Sequence, residues 1–207
     1  MKNQILPFAI AMALSITLVN CGGEEKKEEP ENTDTVEVAK DTTPVYEYTY
    51  KIDEVEVAPR WAITVGDSTN VNNLSAFFMK HMPTVGKLGG MKPADMTEAP
   101  IGLYYGFSTD KNFYTKVAVV VKDSTLKVKA PGKLEKLPSG KAIKIVYMGD
   151  YENMTKAYED LGAYMTEKGL MPAGPSWEQY VTDPGTEKDT TKWETDIYFP
   201  VAPVPGK

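Results

Sequence analysis

The stretch KLEKLPSGKAIKIVYMGDYENMTKAYEDLGAYMTEKG, residues 133–169, predicts two strands joined by a turn and followed by a helix. Leu134 to Leu137 lead to the turn Pro138-Ser139-Gly140, and Ala142 to Tyr147 are typical of a strand. Gly149-Asp150 then opens the helix, for which Asp150 is a suitable N-cap.

The helix and the strands after it complete a strand, helix, strand, strand unit. Gly169 is placed to end the helix. Two strands are predicted beyond it, Trp177 to Val181 and Glu194 to Tyr198, joined by the turn Asp183-Pro184-Gly185. The apolar helix positions recur at helical spacing. They are Met154, Ala157, Tyr158, Leu161 and Met165.

The first half of the sequence predicts the same order of elements. Trp61 to Val65 is strand-like, and a helix limited by Pro83 follows it. Ile101 to Phe107 and Val117 to Lys122 are the next two predicted strands. The apolar face of the first helix is formed by Leu74, Phe77, Phe78, His81 and Met82. The segment before Trp61 shows alternation with a period of two, which also predicts a strand. The alternating residues are Tyr46, Tyr48, Tyr50, Val55 and Val57.

The repeated order predicts an α+β fold built from duplicated βαββ units. These units form one antiparallel sheet with two helices on one face and a cleft between the halves. Residues 61–121 overlay on residues 142–201 with Tyr105 opposite Tyr180. A cleft between the helices is the natural place for a ligand.

Composition excludes several classes of function. The 207 residues contain one Cys and one His, so neither an internal disulfide nor a structural zinc site is expected. The formal net charge of −6 makes the chain a poor general binder of nucleic acid. Nucleotide-binding and hydrolase motifs such as GxGxxG and GxSxG are absent from the sequence.

Residues 1–20 predict a lipoprotein signal peptide. Ile5 to Val19 carry no charge and match the core of such a signal in length. Leu18-Val19-Asn20-Cys21 resembles a lipobox, with Asn20 where a small residue is usual, so we expect Cys21 to be lipidated. The alternative is an ordinary secretory signal with an incidental Cys21. Lipidation predicts a membrane anchor in the cell envelope of a Gram-negative-type bacterium, facing the periplasm or the outer surface.

Residues 21–43 predict an acidic, disordered tether. Eight of the 29 acidic residues lie in this segment, against three lysines. Almost nothing in it can be buried. It is interpreted as a spacer, or alternatively as a surface-export signal. Residues 44–207 then form the folded domain, which is close to neutral once the tether is removed.

Four motifs of the second half resemble the GyrI-like, or bacterial effector-binding, domain family. They are Leu137-Pro138-Ser139-Gly140, Gly149-Asp150-Tyr151, Trp177-Glu178-Gln179-Tyr180 and Thr195-Asp196-Ile197-Tyr198-Phe199-Pro200-Val201. The resemblance extends over about Val45 to Val201 and implies the same duplicated βαββ fold. No segment of this sequence resembles the DNA-binding part of the family's sensors, so the likeness is to its stand-alone members.

The resemblance places Glu178 in the pocket between the halves, facing the ligand. Strand alternation independently puts Glu178 and Tyr180 on one side of their strand. A carboxylate in an aromatic cleft attracts cations, accepts hydrogen bonds or acts as an acid or base. The alternative is that Glu178 lies on a solvent-facing side of the strand.

Three further residues are candidates for lining the cleft: Tyr105, Tyr147 and Trp61. Each is alternatively a packing residue of the core or of a sheet edge. Apolar residues at helical spacing are predicted to be core residues rather than a cofactor pocket. They are Phe77, Phe78, Met82, Met154 and Tyr158. A haem-associated, SOUL-like family shares this fold, but His81 is interpreted as a packed histidine rather than a haem or metal ligand.

The leading prediction is a binding module that takes a small amphipathic or cationic ligand in the cleft. The alternative is a metal-independent hydrolase of reactive small molecules, in which Glu178 and Tyr180 are catalytic. A third option is a protein-interaction role, including haem handling. We expect no cofactor and no metal, and as partners a small molecule and, through Cys21, a membrane, but no nucleic acid.

Overall fold

The structure is a computed structural model that describes residues 46–92 and 95–206. The predicted signal peptide (1–20) and tether (21–43), including Cys21, lie outside the described residues. No helix in the described part of the chain combines the length and the hydropathy that a membrane crossing requires.

The described residues form nine strands and two α-helices, besides short 3-10 helices. The helices are α1 (Val71–His81) and α2 (Thr155–Lys168). The strands are β1 (Asp53–Val57), β2 (Trp61–Thr69), β3 (Ile101–Tyr105), β4 (Phe113–Val121), β5 (Lys133–Lys136), β6 (Gly140–Met148), β7 (Leu170–Pro172), β8 (Ser176–Tyr180) and β9 (Glu194–Pro203).

The strands form one antiparallel sheet that repeats itself about its centre. Their order is β1-β6-β9-β8-β3-β4-β2-β5, and β7 pairs with β9 beyond that path. The spatial order of the strands is equivalent when it is followed inward from either edge of the sheet. The strands β6, β9 and β8 of one half correspond to β2, β4 and β3 of the other. The predicted duplication of a βαββ unit is therefore confirmed, with the two halves meeting where β8 pairs with β3.

Each half packs its own helix on the same face of the sheet. Alternate residues of the strands point to this face, as the period of two requires. Ile63 and Val119 pack with Phe77 of α1, and Ile145 and Ile197 pack in the same way beneath α2. The other face of the sheet has a separate core that includes Ala62, Leu103 and Trp177.

Local sequence signals explain where the helices begin and end. Asn70 caps α1, because its side-chain oxygen accepts a hydrogen bond from the Asn73 N–H at 3.2 Å. Gly169 ends α2 as predicted, with a φ of 62° in the left-handed region that glycine adopts at low cost.

Two local predictions were wrong. Asp150 does not cap α2. Its Oδ1 accepts from the Glu152 N–H at 2.9 Å and caps a short 3-10 turn, Tyr151–Asn153, so α2 begins only at Thr155. The segment around Tyr48 and Tyr50 is not a strand either, because the Thr49 and Tyr50 N–H groups donate to Asp160 of α2 instead of to a neighbouring strand.

Candidate functional site

Glu178 lies at the centre of the sheet, on the face that carries both helices. It is in β8, next to the junction with β3, and only 8% of its surface is exposed. Its neighbour Trp177 belongs to the core on the opposite face. Strand alternation therefore directs the Glu178 carboxylate between the helices, and the alternative of a solvent-facing Glu178 is wrong.

Three tyrosine hydroxyls donate to the Glu178 carboxylate. Oε2 accepts from Tyr104 at 2.7 Å and from Tyr180 at 2.6 Å, and Oε1 accepts from Tyr158. The hydroxyls of Tyr104 and Tyr180 also lie 2.8 Å apart. Two of these tyrosines come from the central strands and the third from α2, so the cluster joins both halves of the domain.

The environment keeps these phenols protonated. Burial raises the pKa of Tyr104, Tyr158 and Tyr180 well above the usual value, and the adjacent Glu178 charge raises each of them further. Tyr151, at the edge of the cluster, has its pKa raised to about 12 by burial and then by Glu178. At neutral pH the site therefore presents neutral hydrogen-bond donors around one carboxylate.

Aromatic rings fill the cleft between the helices. Phe78 of α1 lies 6.1 Å from the ring of Tyr104 and 5.8 Å from that of Tyr180. Tyr151 lies 5.7 Å from Tyr180. Phe78, Tyr151, Tyr158 and Tyr180 are each partly exposed, so the aromatic cluster reaches from the buried carboxylate to the surface.

Of the residues predicted from the sequence, Glu178 and Tyr180 are brought together and Tyr105 is not. Tyr105 lies on the opposite face of the sheet, 5.8 Å from the ring of Tyr114 and beneath Lys116, whose Nζ is 5.2 Å from its ring. The overlay of Tyr105 on Tyr180 was wrong by one residue, because Tyr104 is the tyrosine that shares the face of Tyr180.

Among the described residues, no hydrogen bond joins Tyr147 or Trp61 to Glu178. Tyr147 is 2% exposed and donates its hydroxyl to the Asp150 carbonyl at 2.8 Å. Trp61 packs on the core beneath α1, at an outer strand, with the Lys136 ammonium 5.5 Å from its ring. Both are packing residues in this structure.

Sequence reasoning missed Tyr104 as a site residue and assigned Phe78 and Tyr158 to the core alone. Helical spacing predicted that Phe78 and Tyr158 face the sheet, which they do. What the spacing did not reveal is that this part of each helix lies over the carboxylate. Only the pairing register shows that Gly102-x-Tyr104 of β3 lies beside Glu178-x-Tyr180 of β8, with Gly102 opposite Glu178.

His81 is a packed histidine at the end of α1. Its ring lies 4.7 Å from that of Phe77, and burial, followed by the Lys80 charge, lowers its pKa. It lines a polar surface pocket of about 360 Å³ together with Asp67, apart from Glu178. Within residues 46–92 and 95–206, no group of three His, Cys, Asp or Glu side chains is arranged to hold a metal ion.

The geometry agrees with a family of ligand-binding domains. The sequence pattern of the GyrI-like small molecule binding domain matches residues 50–202. The chain therefore belongs to the GyrI-like family, and its domain is a small-molecule-binding domain. Among curated proteins there is no significant sequence match.

Solved structures share the fold at low sequence identity. The EcmrR C-terminal domain aligns with a TM-score of 0.65 and 19% identity, covering 75% of this chain and 99% of that one. A hydrolase from Listeria innocua aligns with a TM-score of 0.51 and 12% identity, covering 76% and 94%. SAV2435, solved with bound tetraphenylphosphonium, aligns with a TM-score of 0.53 and 14% identity, covering 73% and 94%.

Proposed function

We propose that this domain binds a small amphipathic organic cation at Glu178. The observation that carries the proposal is the buried carboxylate itself. Glu178 is 8% exposed, and none of the ion pairs found in the described parts of the chain includes it. Burying a charge is costly unless a counter-charge is present. A cationic ligand supplies that charge.

The surroundings of the carboxylate suit an amphipathic cation. Neutral phenols hold Glu178 in place without cancelling its charge. The rings of Phe78, Tyr151 and Tyr180 offer apolar surface and electron-rich faces, which attract cations most strongly where water is excluded. Since these rings fill the cleft, binding requires at least one of them to move. The tetraphenylphosphonium bound by SAV2435 is a ligand of this chemical class.

The proposal is tested by titrating the domain with tetraphenylphosphonium in a calorimeter. We expect Glu178→Gln, which keeps the shape of the side chain, to weaken binding about tenfold or more. The matched control is Glu159→Gln on the exposed side of α2, which removes the same charge elsewhere and is expected to bind as wild type does. Equal affinity of wild type and Glu178→Gln, at equal melting temperature, contradicts the proposal.

The second candidate function is hydrolysis of a reactive small molecule without a metal. It is favoured by the close contact of a carboxylate with protonated phenols, since one can accept a proton and the other donate one. The test is product formation from p-nitrophenyl esters and epoxides. Turnover that disappears in Glu178→Gln and in Tyr180→Phe supports hydrolysis, and no turnover in wild type rejects it.

We further propose that Cys21 carries a lipid that anchors the domain to a bacterial membrane through residues 21–43. The uncharged run before Cys21 and the acidic segment after it support this proposal. Expression of the full chain in a Gram-negative host with an alkyne-labelled fatty acid tests it. We expect wild type to carry the label in the membrane fraction and Cys21→Ser to carry none. Equal labelling of both overturns it.

A further inference from the structure

Thr195 lies next to the Glu178 cluster in the centre of the sheet. In β9 it pairs directly with Tyr180 on one side and with Tyr147 on the other. Residues that pair directly in antiparallel strands point to the same face. Thr195 therefore shares the helix-bearing face with Tyr180, and it is 0% exposed.

The hydroxyl of Thr195 has no hydrogen-bond partner. Most buried hydroxyls in proteins have one, and leaving such a group unpaired costs about 1–3 kcal/mol. The other unpaired buried atoms among the described residues belong to Arg60, Trp177 and Asp196. Arg60 precedes β2, and the side chains of Trp177 and Asp196 lie on the opposite face of the sheet. Thr195 is thus the buried hydroxyl beside the site that is left free to bond.

Because the fold is duplicated, Thr195 can be compared with the equivalent residue of the first half. Thr115 holds the corresponding place in the first half, because it pairs with Tyr104 as Thr195 pairs with Tyr180. Thr115 is also 0% exposed, but its hydroxyl donates to the Leu103 carbonyl at 2.8 Å. The same residue type at the same depth is therefore satisfied in one half of the domain and unsatisfied in the other.

Glu178 has less hydrogen-bonding capacity left for a ligand, because a carboxylate can only accept and three of its about four acceptor positions are occupied. Both of its oxygens already accept hydrogen bonds from tyrosines, two at Oε2 and one at Oε1. A ligand that meets Glu178 is attracted mainly by its charge. The Thr195 hydroxyl, in contrast, can both donate and accept.

We propose that Thr195 is a ligand-contacting residue of this site and selects cations that carry a hydrogen-bonding group, such as a hydroxyl. This inference rests on the proposed function. The ring of Tyr151 lies 5.7 Å from that of Tyr180 and 5.0 Å from that of Trp193. Both partners are neighbours of Thr195: Tyr180 pairs with it from β8, and Trp193 precedes it by two residues in the chain. Displacement of the Tyr151 ring by the ligand gives access to the hydroxyl.

The test compares two kinds of probe on two isosteric variants. The probes are tetraphenylphosphonium, which has no hydrogen-bonding group, and the three isomers of hydroxyphenyl-triphenylphosphonium. We expect Thr195→Val to weaken binding of the best hydroxyl-bearing isomer about tenfold relative to binding of tetraphenylphosphonium. Thr195→Ser is expected to restore that affinity. Thr115→Val is the matched control and is expected to leave the ratio of the two affinities as in wild type.

Each outcome decides the proposal. If Thr195→Val changes the affinities for all probes equally, or for none, Thr195 is a structural residue and the inference fails while the proposed function stands. The same holds if Thr115→Val has the same selective effect. If wild type binds none of the cations, the proposed function fails and the inference with it. Melting temperatures of the variants show whether they fold.

Discussion

Glu178 and Gly102 lie directly opposite each other on the two central strands of the sheet. Each is followed two residues later by a tyrosine, Tyr180 in β8 and Tyr104 in β3. The two halves of the domain thus meet at a pair in which one half supplies the carboxylate and the other supplies no side chain at all. The asymmetry lets a single charge occupy the centre of a duplicated fold.

The absence of a side chain at Gly102 is required by its neighbours. A Cβ there would lie 2.8 Å from Cζ and 2.9 Å from Cε1 of Phe78, and 2.9 Å from the Tyr180 hydroxyl. These distances are shorter than van der Waals contact. Gly102 therefore allows Phe78 to lie over the central strands and Tyr180 to reach Glu178.

Gly102→Ala should lower the free energy of unfolding by about 1–3 kcal/mol, because the added methyl group overpacks this contact. Urea unfolding measures the change. Gly162→Ala is the control: a Cβ at this position of α2 meets nothing within 4 Å, so the substitution should gain about 0.5–1 kcal/mol from helix propensity. A Gly102→Ala protein as stable as wild type contradicts the close approach of Phe78.

The duplicated fold could be predicted because each half repeats the same apolar periods. Alternation in β8 also predicted that Glu178 and Tyr180 share a face, which their hydrogen bond confirms. These inferences depend only on residues close together in the chain. The period of two in a strand and the spacing of three and four in a helix fix them.

The choice between Tyr104 and Tyr105 could not be made in the same way. Both tyrosines end the same strand, and a shift of one residue exchanges the two faces. What decides the face is the pairing of Gly102 with Glu178, about 76 residues away in sequence, which no local pattern contains. The roles of Phe78 and Tyr158 depend in the same way on where each helix crosses the sheet.

Asp160 should anchor the segment that leads into β1. It is 0% exposed and accepts from the Thr49 N–H at 2.7 Å, the Tyr50 N–H at 2.9 Å and the Lys156 ammonium at 2.5 Å. Asp160→Asn removes the charge and one acceptor oxygen, so we expect a loss of about 1–3 kcal/mol of unfolding free energy.

The sharper measurement for this variant is amide hydrogen exchange. The amides of Thr49 and Tyr50 should exchange faster in Asp160→Asn, whereas those of β3 and β4 should change only as far as global stability does. Glu159→Gln, one residue earlier on the exposed side of α2, serves as the control and should leave both amides protected. Unchanged protection of Thr49 and Tyr50 in Asp160→Asn argues against the anchor.

Tyr151 should make the domain less stable in alkali. Its pKa is about 12 in the folded protein, because of burial and the nearby Glu178, against about 10 in the unfolded chain. As the pH rises, the unfolded chain therefore loses the Tyr151 proton before the folded protein does. The contribution of Tyr151 to the free energy of unfolding is complete below about pH 10 and is lost as the pH rises toward about 12. Urea unfolding between pH 9.5 and 11.5 should show a shallower decline for Tyr151→Phe than for wild type. Parallel curves for the two proteins are the contrary result.

Two ion pairs between a lysine and a carboxylate lie on the face of the sheet opposite the helices. We expect them to contribute unequally to the free energy of unfolding. Lys144 Nζ lies 2.7 Å from Oδ2 of Asp196, whose side chain is 11% exposed. Lys116 lies 2.5 Å from Oε1 of Glu135, whose side chain is 31% exposed and also accepts from the Thr64 hydroxyl at 2.6 Å. Without Lys144, Asp196 keeps only the long hydrogen bond from the Tyr198 hydroxyl at 3.5 Å, and its buried Oδ1 has no partner. Without Lys116, Glu135 keeps the shorter bond from the Thr64 hydroxyl and a larger exposed surface.

We therefore expect Lys144→Met to cost about 3–5 kcal/mol and Lys116→Met about 1 kcal/mol, measured by urea unfolding at pH 7. The double variant Lys144→Met/Asp196→Asn should recover much of the loss, because it removes the stranded charge together with its partner. Equal costs for the two lysines, or no recovery in the double variant, would mean that Asp196 is hydrated in solution and that its burial does not set the energy of the pair.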